Sequence, residues 1–386
     1  MHYKGITTIA YCGAFFCLGI ALSVLGPTLP HLAEQTAASI GSISILFVGN
    51  STGYLVGSYL AGPVFDHWKS HPVLAINLGI LAGLFFLVPN SSNLGILIAV
   101  FTVLGVMKGS IDVGGNTLML WLFPQKAHKP MSALHAMFAV GAVIAPVIVG
   151  ISLSMTGDID FAFYLLGAMI LPFAFSFLFL PSPKAPLVHT VDTDESGARG
   201  DLILICVFFF LYCGIEVGFG SWITTYALKS GFESSSGSAF LASTFWAFFA
   251  VGRLGSIFAA RIITPIRIIG TGLTLAGISI ALMVTYQDSR HILWAGSAAL
   301  GLAIAPIFPQ LLLVADARLH LRGSTTRWFL VGCSIGAITI TWSLGQGFEY
   351  GSHRVLMPAM MTMLLANAAC YLLILRRLKT PVRNSG

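Results

Sequence analysis

Twelve apolar runs of roughly twenty residues each, divided six and six by one polar stretch, take up nearly the whole chain. A run of that length crosses the hydrocarbon core of a bilayer, about 30 Å thick, as a helix rising about 1.5 Å per residue. In lipid no water is available to satisfy a stray backbone group, so helices that close their own hydrogen bonds are the viable spanning form for such runs. The expected fold class is therefore an all-α membrane protein. With so little sequence left for a soluble domain, the chain must act through the few polar groups that its spans carry.

The spans are predicted at 5–29, 40–62, 72–89, 94–122, 132–154, 161–180, 202–227, 238–262, 267–286, 291–315, 326–347 and 354–375. Residues 181–200, PSPKAPLVHTVDTDESGARG, form the one long polar stretch, and their Pro, Ser, Asp and Gly content reads as a flexible linker. The predicted organisation is an N-terminal six-helix bundle (1–180), a cytoplasmic linker (181–200) and a C-terminal six-helix bundle (201–386). Two six-helix halves are what a rocking-bundle transporter requires. Gly49, Gly53 and Gly57 on the second span, and Gly332 and Gly336 on the eleventh, recur at four-residue steps. That step lines one helix face with small residues and allows close helix contact, although Gly is also common in membrane helices generally.

Composition narrows the function classes. Only 9% of the 386 residues are charged, against about 25% in soluble domains, which argues against a soluble enzyme and against a disordered chain. The net charge of +6 is scattered over short loops and offers no basic stripe to follow a phosphate backbone, so no nucleic-acid partner is expected. All six cysteines fall inside apolar runs without metal-ligand spacing and read as small buried hydrophobes; no metal or cofactor is expected. The polar segments hold no Walker-type phosphate loop, which argues against an ATP-driven pump. MHYK and the run behind it resemble a signal peptide in outline, but the run is too long and no small-residue cleavage site follows, so it is taken as the first span.

The loops on one side carry fifteen Lys and Arg residues and those on the other only three, Lys229, Arg290 and Arg354; Lys108 and Arg253 lie inside spans. By the positive-inside rule both termini and the central linker are expected in the cytoplasm.

Motifs then point to a family. The loop after the second span, Gly62-Pro63-Val64-Phe65-Asp66-His67-Trp68-Lys69, resembles the loop signature of the major facilitator superfamily, with His67 where Arg or Lys is usual and without the later Gly. Gly141-Ala142-Val143-Ile144-Ala145-Pro146, followed by Gly150, is similar to the Gly- and Pro-rich fifth helix of many members. Further segments resemble the fucose-permease-like group and its sodium-dependent glucose transporter branch: Leu25 to Pro30, Asp112 to Asn116, Leu134-His135, Gly214 to Trp222 with Tyr226, Phe245-Trp246, Gly252-Arg253 and Phe308-Pro309. The resemblance covers nearly the whole chain. It implies a twelve-helix fold of two pseudo-symmetric six-helix bundles, with helices one, four, seven and ten around a central cavity and transport as the function. It also implies that Asp66 latches the cytoplasmic side in one state by pairing with basic residues.

An ionisable group at membrane depth costs several kcal/mol unless paired or hydrated, which makes it a functional candidate. Lys108, Asp112 and Asn116 recur every four residues on the fourth span and share one helix face. Glu216 stands alone in a small-residue and apolar segment of the seventh span. In the resembling fold, Asp112 and Glu216 face each other from opposite halves. Desolvation and a nearby cation act in opposite senses on a carboxylate, and both change as the cavity opens to one side or the other, which is what proton coupling needs. Glu216 and Asp112 are therefore the coupling candidates, with a structural hydrogen bond and a static pair with Lys108 as their respective alternatives. His135, near the cytoplasmic end of the fifth span, either contributes to the site or serves structure by capping a helix end or bonding Asn116; Arg253, toward the inner end of its span, is read as a cytoplasmic-gate or packing residue rather than a ligand, with Asp66 the other gate residue. A sugar needs an aromatic face for its C–H side and amides or carboxylates for its hydroxyls. Trp222, Trp246, Trp342, Asn50, Asn116, Gln310 and Gln346 can supply these, and each Trp can equally be packing.

The expectation is a secondary active transporter, not an enzyme, moving a small polar solute, with a monosaccharide first, by alternating access and proton symport. Na+ is the second choice of ion, held by oxygens of Asp112, Asn116 and backbone carbonyls. The alternatives are a proton-driven exporter of amphipathic compounds and a non-transporting receptor or scaffold. The expected partners are a small-molecule substrate and the lipid bilayer of a plasma or inner membrane, with the chain working as a monomer.

Overall fold

The computed structural model describes residues 2–124, 128–183, 199–319 and 323–379. Twelve helices among them are long and apolar enough to cross a membrane, and no strand occurs among the described residues. The fold is that of an integral, multi-pass membrane protein. Six spans precede residues 184–198 and six follow; that central part of the predicted linker lies outside the described residues. Large apolar side chains such as Ile80, Val103, Phe175, Leu275 and Leu372 are exposed along the spans. On a soluble protein that surface would be a liability, whereas a bilayer solvates it.

Local chemistry starts and breaks these helices. Asn93 caps Leu94–Leu122, its side chain accepting from the Gly95 and Ile96 amides at 2.8 and 3.2 Å. Ser234 and Ser289 cap Ser235–Ala259 and Arg290–Ile304 in the same way. The first span runs Lys4–Ser23 and then continues as a second helix, Leu25–Gln35, six residues beyond the predicted end at 29. The interruption falls where Pro27, lacking an N–H, cannot serve the Ser23 carbonyl. The tenth span divides likewise, into Arg290–Ile304 and Ile307–Leu319, because Pro306 leaves the Leu302 carbonyl without its donor.

Backbone-to-backbone contact at glycine fixes the helix pairs. Where the second and fourth spans cross, a Cβ at Gly53 would strike the Thr102 carbonyl, and one at Gly105 would strike the Asn50 carbonyl. The eighth and tenth spans repeat the arrangement, with Gly252 against the Leu302 carbonyl and Gly301 against that of Phe245. The first–fifth pair (Gly141 on the Phe16 carbonyl) and the seventh–eleventh pair (Gly336 on that of Phe210) match in the same way. Equivalent seams in the first and second six spans make the two halves structural repeats.

One end of the bundle holds the start of the first span, the end of the fourth, the start of the seventh and the end of the twelfth. Lys4 there donates to the Leu122 carbonyl at 3.0 Å, and Arg377 pairs with Asp201 at 2.9 Å. His71, fully buried, ties the third span to the first and sixth. Its Nδ1 donates to the Leu180 carbonyl at 3.0 Å, so its Nε2, 2.8 Å from the Tyr11 hydroxyl, accepts. The opposite, distal end is where the halves meet most tightly. Gly26 lies against the Ser221 backbone, Gln346 donates to the Gly41 carbonyl at 3.0 Å, and the Gly41 amide donates to Glu349 at 3.2 Å. Gly150 packs on the Phe240 ring. The distal mouth is therefore closed.

Candidate substrate and coupling site

The crossing of the second and fourth spans brings Tyr54 over Asp112. The Tyr54 hydroxyl donates to Asp112 Oδ2, and Asn116 Nδ2 donates to Asp112 Oδ1 at 2.9 Å and to its backbone carbonyl at 2.9 Å. Asp112 thus has a donor on each oxygen, which satisfies a carboxylate away from bulk water. Lys108, one turn away, is 4% exposed and makes neither an ion pair nor a hydrogen bond with a described residue. The pairing of Lys108 with Asp112 weighed from their spacing is not formed in this conformation.

Across the interface, Glu216 is half-buried on the seventh span beside Tyr212, whose hydroxyl donates to the Ile304 carbonyl at 3.2 Å. That carbonyl lies at the break of the tenth span. Arg253 of the eighth span is close enough to both Glu216 and Asp112 to interact electrostatically, and also to His135. Its guanidinium stacks over Phe249 at 4.9 Å, and its Nε is buried without a hydrogen-bond partner. One cation therefore lies within electrostatic reach of carboxylates on both halves, without a direct ion pair to either. His135 sits edge-on to Phe15, ring centroids 5.5 Å apart, on the same side of the site.

Three other nominated residues share a property with Arg253. Asn50 Oδ1, Trp246 Nε1 and Gln310 Oε1 are buried, and each lacks a hydrogen-bond partner. A buried polar group left unpaired costs about 1–3 kcal/mol, so these atoms mark positions where a hydroxylated solute or water gains most by binding. Gln346 and Trp222 fall elsewhere. Gln346 is committed to the distal closure with Gly41 and Ser44. Trp222 is fully enclosed, donates to the Thr341 carbonyl at 2.9 Å and stacks on Phe348 at 4.8 Å. Trp342 is 44% exposed. Asp66 is exposed and has no hydrogen bond or ion pair with a described residue.

Tyr54, Tyr212 and the unpartnered groups of His31, Ser58 and Thr225 were not singled out from sequence. A signal for Tyr54 was present: it stands between Gly53 and Gly57, on the helix face that those glycines press against the fourth span.

The family model described as Major Facilitator Superfamily matches residues 11–341. The chain belongs to the major facilitator superfamily. Among its relatives within that superfamily is sodium-dependent glucose transporter 1 of Xenopus laevis, 31% identical over 363 residues, covering 84% of this chain and 72% of that protein. Sodium-dependent glucose transporter 1A of Mus musculus is 30% identical over 374 residues, covering 86% and 87%. Solved major facilitator structures agree in fold. A bacterial homologue of the human lysosomal transporter Spinster, inward-facing and occupied, superposes with a TM-score of 0.79 at 14% identity over 97% of each chain. The nucleoside transporter NupG gives 0.77 at 13% identity, over 96% of this chain and 99% of its own. The chain is a transporter of this superfamily and not an enzyme.

Proposed function

We propose that this transporter moves a monosaccharide-sized polar solute by proton symport, with Glu216 as the group that binds and releases the proton. The observation carrying the reading is the common cation: Glu216 and Asp112, on opposite halves, both lie within electrostatic reach of the Arg253 guanidinium. When the halves rock, Arg253 travels with Glu216 and its distance from Asp112 changes, so the charge balance around the two carboxylates differs between states and a proton or another cation can make up the difference. Asp112 keeps two hydrogen-bond donors of its own half whichever way the halves move, whereas the one hydroxyl beside Glu216, that of Tyr212, also serves the Ile304 carbonyl, so the proton is assigned to Glu216. The unpaired atoms of Asn50, Trp246 and Gln310 supply hydroxyl recognition. Both termini lie on the cytoplasmic side in this reading, so the closed distal mouth faces outward and the conformation is inward-facing.

Na+ is the second reading, favoured by the names of the glucose transporter relatives. It has the free carbonyl oxygen of the Asn116 amide and the remaining lone pairs of Asp112 to work with. The deciding experiment is uptake into proteoliposomes of the full chain, across a panel of hexoses, nucleosides and amino acids, under an imposed pH gradient and separately under an Na+ gradient. Hexose accumulation driven by the pH gradient alone supports the proposal. Accumulation only with Na+ transfers the coupling to Na+, and accumulation of another solute class overturns the sugar assignment.

A further inference from the structure

At the distal end, away from the central site, a cleft of about 450 Å³ opens along the seam between the halves. Glu34, at the end of the first span's extension, lines one wall; Lys229 and Glu349, at the ends of the seventh and eleventh spans, line the other. Pro30 and Leu228 supply apolar surface. Thr225, 1% exposed, also lines it, and its hydroxyl has no hydrogen-bond partner. Among the described residues Glu349 accepts from the Gly41 amide alone, and neither Glu34 nor Lys229 forms an ion pair or hydrogen bond with one of them. Charges of both signs thus share one cleft without neutralising one another, around a buried hydroxyl that lacks a partner.

This pattern selects among ligand classes. A simple cation suits the carboxylates and is repelled by Lys229; a simple anion meets the converse. A neutral polyol donates hydroxyl hydrogens to Glu34 and Glu349, accepts from Lys229 and from Thr225, and brings no charge of its own into the cleft. The C–H face of a sugar ring matches Pro30 and Leu228. The volume is also sufficient for a monosaccharide. The cleft exists only while the two halves touch distally, so a ligand gripping both walls favours the state in which that mouth is shut.

We propose that this seam is a second, peripheral site for a neutral polyol of monosaccharide size, whose occupancy bridges the halves and holds the distal mouth closed. It goes beyond the transport reading and does not depend on which solute the central site carries.

The test uses the purified full chain in lipid nanodiscs, with D-glucose and sorbitol as polyol probes and glycine as a zwitterion probe. Binding isotherms and melting temperatures are recorded for wild type, for Glu34→Gln combined with Lys229→Met, and for Gln310→Ala. Both distal positions are exposed, and the melting temperature without ligand verifies folding. We expect polyols to raise the wild-type melting temperature and to bind in a component that weakens at least tenfold in the distal double variant while persisting in Gln310→Ala. In proteoliposomes, high polyol on the distal side should slow uptake of the transported solute in wild type and not in the double variant. An unchanged polyol response in the double variant overturns the site, and so does stabilisation by glycine without polyols. If no hexose is taken up at all but the distal component remains, the transport reading fails and this site stands.

Discussion

The two halves repeat one another in backbone and differ in how their buried carboxylates are housed. In the N-terminal half, Asp112 receives Tyr54 on one oxygen and Asn116 on the other. In the C-terminal half, Glu216 shares the Tyr212 hydroxyl with the Ile304 carbonyl and lies near Arg253, whose Nε is unpartnered. The same glycine-seamed framework therefore holds one carboxylate with a donor of its own on each oxygen and one, less settled, that shares its hydroxyl partner. A settled group resists change between conformers, and an unsettled one responds to it, since only a difference in interaction between states can couple ion binding to rocking. In the proposed reading Asp112 is then the reference and Glu216 the responsive group, with Arg253 carried on the same half as Glu216.

The largest expected effect is at the responsive carboxylate. Glu216→Gln keeps a hydrogen-bonding head of the same shape and removes titration. Gradient-driven accumulation should fall on the order of 100-fold, equivalent to about 2.7 kcal/mol, while exchange of solute at equal concentrations survives in part. Loss of both activities would make Glu216 a substrate ligand instead. Full uphill uptake would move the coupling role to Asp112 and undo the contrast between the halves.

Lys108 departs from the settled character of its half, being buried with no ion pair or hydrogen bond to a described residue. A lysine at the centre of a spanning helix costs about 2.5–3.5 kcal/mol on insertion scales. Lys108→Met keeps the length and removes that cost, so the variant should be more stable by about 2 kcal/mol, read from its thermal or denaturant midpoint. Destabilisation would mean that Lys108 has a polar partner that the contrast omits.

Tyr54→Phe probes the reference carboxylate with a smaller expected change. It removes one donor from Asp112 and leaves the ring in place, which should cost about 1–2 kcal/mol of stability with ion dependence of transport largely retained. A changed ion dependence with unaltered stability would show that Asp112, not Glu216, is the responsive group.

Most of the framework was legible in the chain, and the site was legible only in part, for physical reasons. Length and hydropathy are local properties, so twelve spans could be counted, and Gly53 and Gly57 announced the close crossing that they make. Asp112 and Glu216 stood out because charge is rare at membrane depth. Partnership is not local. That Tyr54 reaches Asp112 depends on the register of two helices 58 residues apart, and that Gln346 joins Gly41 depends on two halves separated by 305 positions. Pro27 and Pro306 were visible as residues, but where the chain would break, and that helix would resume to Gln35, depended on which carbonyls could find another arrangement. Trp222 looked like a stacking platform for a sugar because its surroundings could not be read; its ring is enclosed by Phe47 and Phe348.

The smallest expected effect on stability lies at the loop that first suggested the family. Asp66 is exposed, and nothing among the described residues bonds to it in the conformation with the distal mouth shut. Asp66→Asn should therefore leave the stability of this state within about 0.5 kcal/mol, as surface substitutions do. If Asp66 latches the opposite state by pairing with basic helix ends, its charge is worth up to about 1 kcal/mol there, and removing it shifts the balance toward the distally closed state by a few-fold. Spin-label distances across the end of the bundle that holds the termini read that balance directly. Equal populations in wild type and Asp66→Asn would remove the latch and leave the distal contacts of Gly41, Gln346 and Glu349 as the stronger candidates for setting it.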